Sequence, residues 1–140
     1  MTSSKILVDS SFLYALYDRS ARDNEIVSAI GDLYSGQFVI PYVTLTEVAF
    51  LFRRAGEAHA VARFLNALVK GNYQYEGLSP DDLRRAAAIM VQYASANFDF
   101  VDCCIMALSE RLQITQVCTL DRRDFSIFRP AHCEYLDLLP

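Results

Sequence analysis

Short apolar runs alternate with longer amphipathic segments along the whole chain. The runs with the length and residue types of strands are 5–9, 37–41, 73–78, 115–121 and 134–138. The segments with helical length and spacing are 10–18, 23–34, 44–55, 58–70, 80–95 and 100–112, followed by a short turn or helix at 122–128. Each of the first three intervals between strands holds a pair of helical segments. The second pair is divided near Gly56 and the third around Asn97.

This alternation predicts an α/β fold, a three-layer α/β/α sandwich with a central, mainly parallel sheet of five strands. No repeat or linker interrupts the 140 residues, so we expect residues 1–140 to form a single domain. Ligands of such sheets bind at the carboxyl ends of the strands, where the strand order reverses. If the chain returns past its first strand after the third, the first and fourth strands are neighbours at that point.

Acidic residues stand at the ends of predicted strands and the starts of predicted helices: Asp9, Glu47, Asp102 and Asp121. Each has a local explanation, because acids cap helix N-termini. Thr44 and Glu47 have the spacing of a capping box, and Asp99 precedes Asp102 by three residues. The predicted topology nevertheless brings all four acids to one edge of the sheet. Helix caps have no reason to converge there, whereas metal ligands do.

The composition narrows the chemistry further. A net charge of −4 disfavours a simple basic groove for nucleic acid. Carboxylates that hold Mg²⁺ or Mn²⁺ would reverse the local sign. The chain has no P-loop, GxGxxG or GxSxG motif, and its cysteines at 103, 104, 118 and 133 lack zinc spacing. We expect the cysteines to fill the core, with a redox role as the alternative.

No apolar run approaches the roughly 20 residues that a membrane helix needs. The first residues, MTSSKILVD, lack the features of a signal peptide. We therefore expect a cytoplasmic protein with no membrane partner.

A phosphatase that uses Asp9 as its nucleophile is disfavoured. That chemistry commonly needs an aspartate two residues later, and Ser11 stands at that position.

Four segments, in chain order, resemble the PIN-domain ribonucleases, and most closely the VapC-type toxins of bacterial toxin–antitoxin pairs. They are VDSSFLYAL (8–16), PYVTLTEV (41–48), FVDCCIMALSERL (100–112) and TLDRRDF (119–125). The resemblance implies an α/β/α sandwich that cleaves RNA endonucleolytically with Mg²⁺ or Mn²⁺. It also implies a cognate antitoxin as partner and a homodimer, for which residues 44–70 offer a surface.

The resemblance assigns catalytic and metal-binding roles to four acids: Asp9, Glu47, Asp102 and Asp121. It places Ser10 and Thr119 where a hydroxyl holds water or phosphate. Asp99 is either the cap of its helix or a group that supports the metal site from behind. Arg122 and Arg123 are either RNA contacts, since arginine suits phosphate geometry, or solvated surface charges.

Two features of the sequence lie beside the matched acids and need comment. Cys103 and Cys104 replace the small residues that often follow the FVD segment in the family, although their size is similar. We interpret Asp124 as a capping acid for the short turn.

The alternative function is a catalytically inactive PIN-like module that binds RNA or protein. Such a module would be expected to have lost one of the acids, yet all four positions remain acidic.

Overall fold

Each apolar run predicted as a strand overlaps a strand of one five-stranded sheet in the computed structural model, which describes residues 4–140. The strands are β1 (Ile6–Val8), β2 (Phe38–Pro41), β3 (Gln74–Glu76), β4 (Gln116–Cys118) and β5 (Asp137–Leu139). The helices are α1 (Ser10–Tyr17), α2 (Asn24–Leu33), α3 (Tyr42–Leu68), α4 (Pro80–Gln92), α5 (Phe100–Leu112) and α6 (Arg123–Ile127). The predicted α/β class is therefore confirmed.

The strand order is β3-β2-β1-β4-β5, and every pairing is parallel. The chain builds outward from β1 through β2 to β3 and then returns to add β4 on the other side of β1. The reversal point predicted from the sequence thus lies between β1 and β4, where Val8 pairs with Cys118. Residues that follow these two strands meet at the carboxyl edge of the sheet.

Two layers of helices cover the sheet because its strands alternate their side chains between two apolar faces. Leu7 packs on one face with residues of α4, α5 and α6. Ile6 and Val8 pack on the other face with residues of α1, α2 and α3. Three of the four cysteines are buried in these cores and all four are free, in agreement with the packing role expected for them.

Several boundaries of strands and helices differ from those predicted. The fourth strand ends at Cys118 rather than residue 121, because the hydroxyl of Thr119 binds the backbone of Asp121 and forms a turn. The last strand begins at Asp137, three residues later than expected. The predicted division of the third helical region is present as a kink at Gly56 and Glu57 within α3.

Within residues 4–140, no helix is both long and apolar enough to cross a membrane.

Candidate active site

Asp9 lies directly after β1, at the point where the strand order reverses. Its backbone N–H donates to the carbonyl oxygen of Cys118 (2.9 Å), which extends the pairing of β1 with β4 by one residue. Its carboxylate accepts from the backbone N–H of Ser10 (2.8 Å), so it caps α1 as well. Asp9 is 3% exposed. A carboxylate that only caps a helix does not need to be buried. The burial of Asp9 at the carboxyl edge of the sheet therefore indicates a further role.

Glu47 reaches Asp9 through a serine. The hydroxyl of Ser10 donates to Oε1 of Glu47 (2.7 Å) and lies 3.5 Å from Oδ1 of Asp9. The capping box considered for Thr44 and Glu47 is absent, because α3 begins earlier, at Tyr42. Thr44 is buried and donates to the carbonyl oxygen of Pro41 (2.8 Å). Glu47 is consequently free of the helix start and faces the end of β1.

Hydroxyl groups connect the ends of β1 and β4. Thr119 Oγ1 donates to Oδ2 of Asp9 (2.7 Å) and accepts from the backbone N–H of Asp121 (3.0 Å). Ser11 Oγ accepts from the N–H of Leu120 (2.9 Å) and lies 3.3 Å from Oδ2 of Asp9. These bonds orient Asp9 and fix the turn that carries Asp121. The side chain of Asp121 itself is exposed at this edge.

Asp102 occupies the first turn of α5 and is 5% exposed. Asp99 caps this helix by accepting from the backbone N–H of Asp102 (2.9 Å), which is one of the two roles considered for Asp99 from the sequence. The carboxyl group of Asp102 contacts that of Asp124, which is also buried. Asp124 does not cap α6, so the capping role expected for it is wrong.

The two arginines after Asp121 bind protein groups. Arg122 contacts the carbonyl oxygens of Leu138 (3.5 Å) and Pro140 at the end of β5. Arg123 pairs with Asp124 (Nη1 to Oδ1, 2.7 Å) and donates to the carbonyl oxygen of Ala96. Contact of either guanidinium with RNA stays a prediction.

Burial dominates the electrostatics of this cluster. It raises the pKa of Asp9, an effect that hydrogen bonds from Thr119, Ser10 and Ser11 partly oppose and the charge of Glu47 reinforces. The pKa of Asp102 is raised to about 9 by burial first, and then by Asp9 and the neighbouring acids. Such shifts are typical of functional sites, where charge is buried for a purpose other than folding.

Carboxylate oxygens are the ligands that a hard divalent cation prefers, although the acids of this edge do not form a complete coordination site. Within residues 4–140, no three His, Cys, Asp or Glu side chains are arranged to hold a metal ion. The predicted group of four acids is therefore only partly assembled. Asp9 and Asp102 interact electrostatically, Glu47 is linked to Asp9 through Ser10, and Asp121 is exposed. Two buried carboxylates, of which Asp9 raises the pKa of Asp102, are what Mg²⁺ or Mn²⁺ would stabilise.

Residues 6–129 match the PIN domain family. The chain belongs to the PIN domain family. It is 26% identical over 125 residues to Ribonuclease VapC26 of Mycobacterium tuberculosis (strain ATCC 25618 / H37Rv), a match that covers 89% of this chain and 93% of that protein.

Solved structures share the PIN fold of this chain. The crystal structure of VapC20 from Mycobacterium tuberculosis, described as a sarcin-ricin loop cleaving toxin, has a TM-score of 0.77 at 18% identity and covers 84% of this chain and 91% of its own. A toxin–antitoxin complex from Klebsiella pneumoniae gives a TM-score of 0.69 at 21% identity, with 89% and 92% coverage. PAE2754 from Pyrobaculum aerophilum gives 0.59 at 15% identity, with 96% and 88% coverage.

Two residues of this PIN-domain site were not assigned to it from the sequence. Ser11 bonds both to Asp9 and to the segment after β4, and Asp124 contacts Asp102. Ser11 follows a capping position, where a hydroxyl is ordinary. Asp124 stands three residues after Asp121, a spacing that suggests a cap and gives no sign of contact with α5.

Proposed function

We propose that this chain is a metal-dependent endoribonuclease and the toxin of a toxin–antitoxin pair. The observation that carries the proposal is the burial of Asp9 and Asp102, which interact electrostatically, near the point where the strand order reverses within a PIN domain. The names of the relatives support it, since they include a ribonuclease, a toxin that cleaves RNA and a toxin–antitoxin complex.

In this proposal Asp9 and Asp102 hold Mg²⁺ or Mn²⁺, with Glu47 and Asp121 as the further acids. When bound there, the cation supplies Lewis-acid activation of water and of the scissile phosphate. Thr119 and Ser11 keep the carboxylate of Asp9 oriented by donating to its Oδ2. Ser10 holds Glu47 beside Asp9 and so adds a second negative charge next to the cation position.

The partners in this proposal are an RNA substrate, a cognate antitoxin and a second copy of the chain, in the cytoplasm. The surface proposed for the homodimer lies on α3, where Phe50 is 61% exposed and Leu65 is 42% exposed. Apolar area of this kind favours burial against a partner. Light scattering on the purified chain would give a mass near twice 15.8 kDa if the dimer forms.

The experiment is cleavage of a pool of single-stranded and structured RNAs with Mg²⁺, with Mn²⁺ and with EDTA. Wild type and Asp9→Asn are purified in parallel. Asparagine retains one oxygen that can cap α1, and its amide NH₂ can donate to the hydroxyl of Thr119 in place of accepting from it, so the variant is expected to fold. We expect wild type to cut only with metal and the variant to lose at least about a hundredfold in rate, since Asp9 is a proposed metal ligand.

The controls separate three outcomes. Equal cutting by both proteins would indicate a contaminating nuclease. Failure of both to cut, with Mn²⁺ binding demonstrated, would indicate a module that binds without catalysis. Cutting that resists EDTA would refute the metal requirement.

A further inference from the structure

Asp124 is a buried acid whose position the proposed cleavage chemistry does not by itself explain. It is the second residue of α6, and only 7% of its surface is exposed. Its carboxyl group is in hydrogen-bond contact with the carboxyl group of Asp102. Two carboxyl groups in contact repel each other when both are charged, so such a pair is stabilised by a proton on one of them or by a nearby cation. A partner that fixes Asp124 in place against Asp102 would also stabilise the arrangement.

Arg123 supplies a cation to this pair. Its Nη1 lies 2.7 Å from Oδ1 of Asp124, and its Nη2 donates to the carbonyl oxygen of Ala96 at 2.7 Å. Both ends of the guanidinium fork are thus engaged, although 59% of the side chain is exposed. A planar fork with two fixed partners holds geometry better than a single ammonium group would.

The two partners of Arg123 belong to segments that deliver opposite sides of the site. Ala96 ends a short 3₁₀ turn, and the left-handed Asn97 (φ 54°) and the cap Asp99 follow before α5 begins. Asp124 belongs to the segment after β4 that also carries Asp121. The guanidinium therefore joins the start of α5, and with it Asp102, to the end of β4.

We propose that Arg123 is a positioning residue for the candidate metal site: it holds Asp124 against Asp102 and fixes the segment before α5 to the segment after β4. The inference rests on the proposed function, in which Asp102 helps to bind the cation. It replaces the two readings considered for Arg123 from the sequence, an RNA contact or a solvated charge, with a structural role inside the site.

The sign of the effect on metal affinity distinguishes positioning from simple electrostatics. Removing a positive charge beside an acidic site would by itself tighten the binding of a divalent cation. Loss of positioning would weaken it, because groups that orient metal ligands are worth about tenfold to a hundredfold in metal affinity. An RNA contact would leave metal affinity unchanged and raise the KM for RNA.

The test measures Mn²⁺ dissociation constants by calorimetry without RNA, together with rates of RNA cleavage at varied Mn²⁺ and varied RNA. The proteins are wild type, Arg123→Met, Arg123→Lys and the control Arg122→Met, whose guanidinium contacts the carbonyl groups of Leu138 and Pro140 at the end of β5. We expect Arg123→Met to raise the Mn²⁺ dissociation constant about tenfold. We also expect Arg123→Lys to lie between it and wild type, and Arg122→Met to bind Mn²⁺ with the affinity of wild type. The KM of Arg123→Met for RNA at saturating Mn²⁺ should stay unchanged.

Unchanged or tighter Mn²⁺ binding by Arg123→Met would overturn the proposal, and so would a raised KM with normal Mn²⁺ binding. If Arg123→Met does not fold, Arg123→Lys decides: it keeps the charge, so Mn²⁺ binding equal to wild type overturns positioning. If wild type neither binds Mn²⁺ nor cuts RNA, the proposed function fails separately. Hydrogen exchange in EDTA then decides on Arg123, since loss of protection at residues 96–102 in the lysine variant supports the link and unchanged protection overturns it.

Discussion

Replacement of Asp102 by asparagine is expected to stabilise the metal-free protein while abolishing its response to metal. Asp102 is 5% exposed and lies among Asp9, Asp99 and Asp124. Burial and these neighbours raise its pKa from 3.8 to about 9. At neutral pH the unfolded chain carries this carboxyl group as an anion. Folding must therefore either bind a proton or bury an unpaired charge, and both cost free energy.

The size of the expected change in the free energy of unfolding follows from the difference between the folded and unfolded pKa values of Asp102. One pKa unit corresponds to about 1.4 kcal/mol, so binding a proton at about pH 7.5 costs at most about 5 kcal/mol for a group that ionises near 3.8 when unfolded. A buried asparagine amide with incomplete hydrogen bonding costs about 1–3 kcal/mol in its place. We therefore expect Asp102→Asn to raise the free energy of unfolding by about 2 kcal/mol in EDTA. For a chain of this length that is roughly 8 °C in Tm.

The assay is urea denaturation in EDTA and in MnCl₂, with Asp82→Asn as the matched control. Asp82 is 3% exposed, but it accepts from Arg111 (2.9 Å) and caps α4 with Ser79. Burial alone would raise the pKa of Asp82, and these partners lower it overall. The control should lose about 2 kcal/mol where Asp102→Asn gains it.

Destabilisation of Asp102→Asn in EDTA would refute the argument, because it would mean that the carboxyl group is satisfied in the metal-free fold. Equal stabilisation of wild type and Asp102→Asn by Mn²⁺ would refute the ligand role. Only an increase in EDTA combined with a lost Mn²⁺ response agrees with a buried metal ligand.

Other contacts lead to further expected outcomes. Glu57→Gly should stabilise the fold by about 1 kcal/mol in urea denaturation, because Glu57 has a strained left-handed backbone (φ 59°, ψ −152°), and Glu57→Ala should give no such gain. Glu110→Gln should cost about 2 kcal/mol near pH 7, since Glu110 accepts two bonds from Arg85 (2.6 and 3.0 Å). Burial alone would raise the pKa of Glu110, but its hydrogen bonds, chiefly those from Arg85, lower it overall from 4.5. The cost of the substitution should therefore shrink as the pH falls below 4.5 and through the lowered pKa. Thr119→Val should weaken Mn²⁺ binding about tenfold in calorimetry, with Thr115→Val in the same segment unchanged.

The order of strands and helices was predictable because the local pattern and the global fold agree. β1, for example, is apolar at every position, as a parallel strand covered on both faces must be. The neighbourhood of β1 and β4 followed from the return of the chain after β3. The ends of elements were less predictable, since they depend on single contacts. The hydroxyl of Thr119 ends β4 by binding the backbone of Asp121, and an apolar pattern carries no record of that bond.

The site was predictable to the extent that its residues follow strands. Asp9 could be placed because it ends β1 and the topology then decides its neighbours. Glu47 was harder to place, since its spacing from Thr44 suggests a capping box that forms only if the helix begins at Thr44. The contact between Asp102 and Asp124 depends on how α6 lies against α5, which no short-range pattern reports.

The residues that orient the acids also hold the sheet edge together, and this links folding to the proposed chemistry. Thr119 and Ser11 donate to Asp9, and each also binds backbone groups of the segment after β4. The end of β1 is thereby fixed to a segment 110 residues away by the same bonds that aim its carboxylate. Since ligands must be held to within a fraction of an ångström, a site built on bonds that also close the fold is aligned as soon as the fold is complete. Burial of apolar surface in the layers on both faces of the sheet then offsets the free-energy cost of burying Asp9 and Asp102. Leu7 and Val8 of β1, for example, are almost wholly buried.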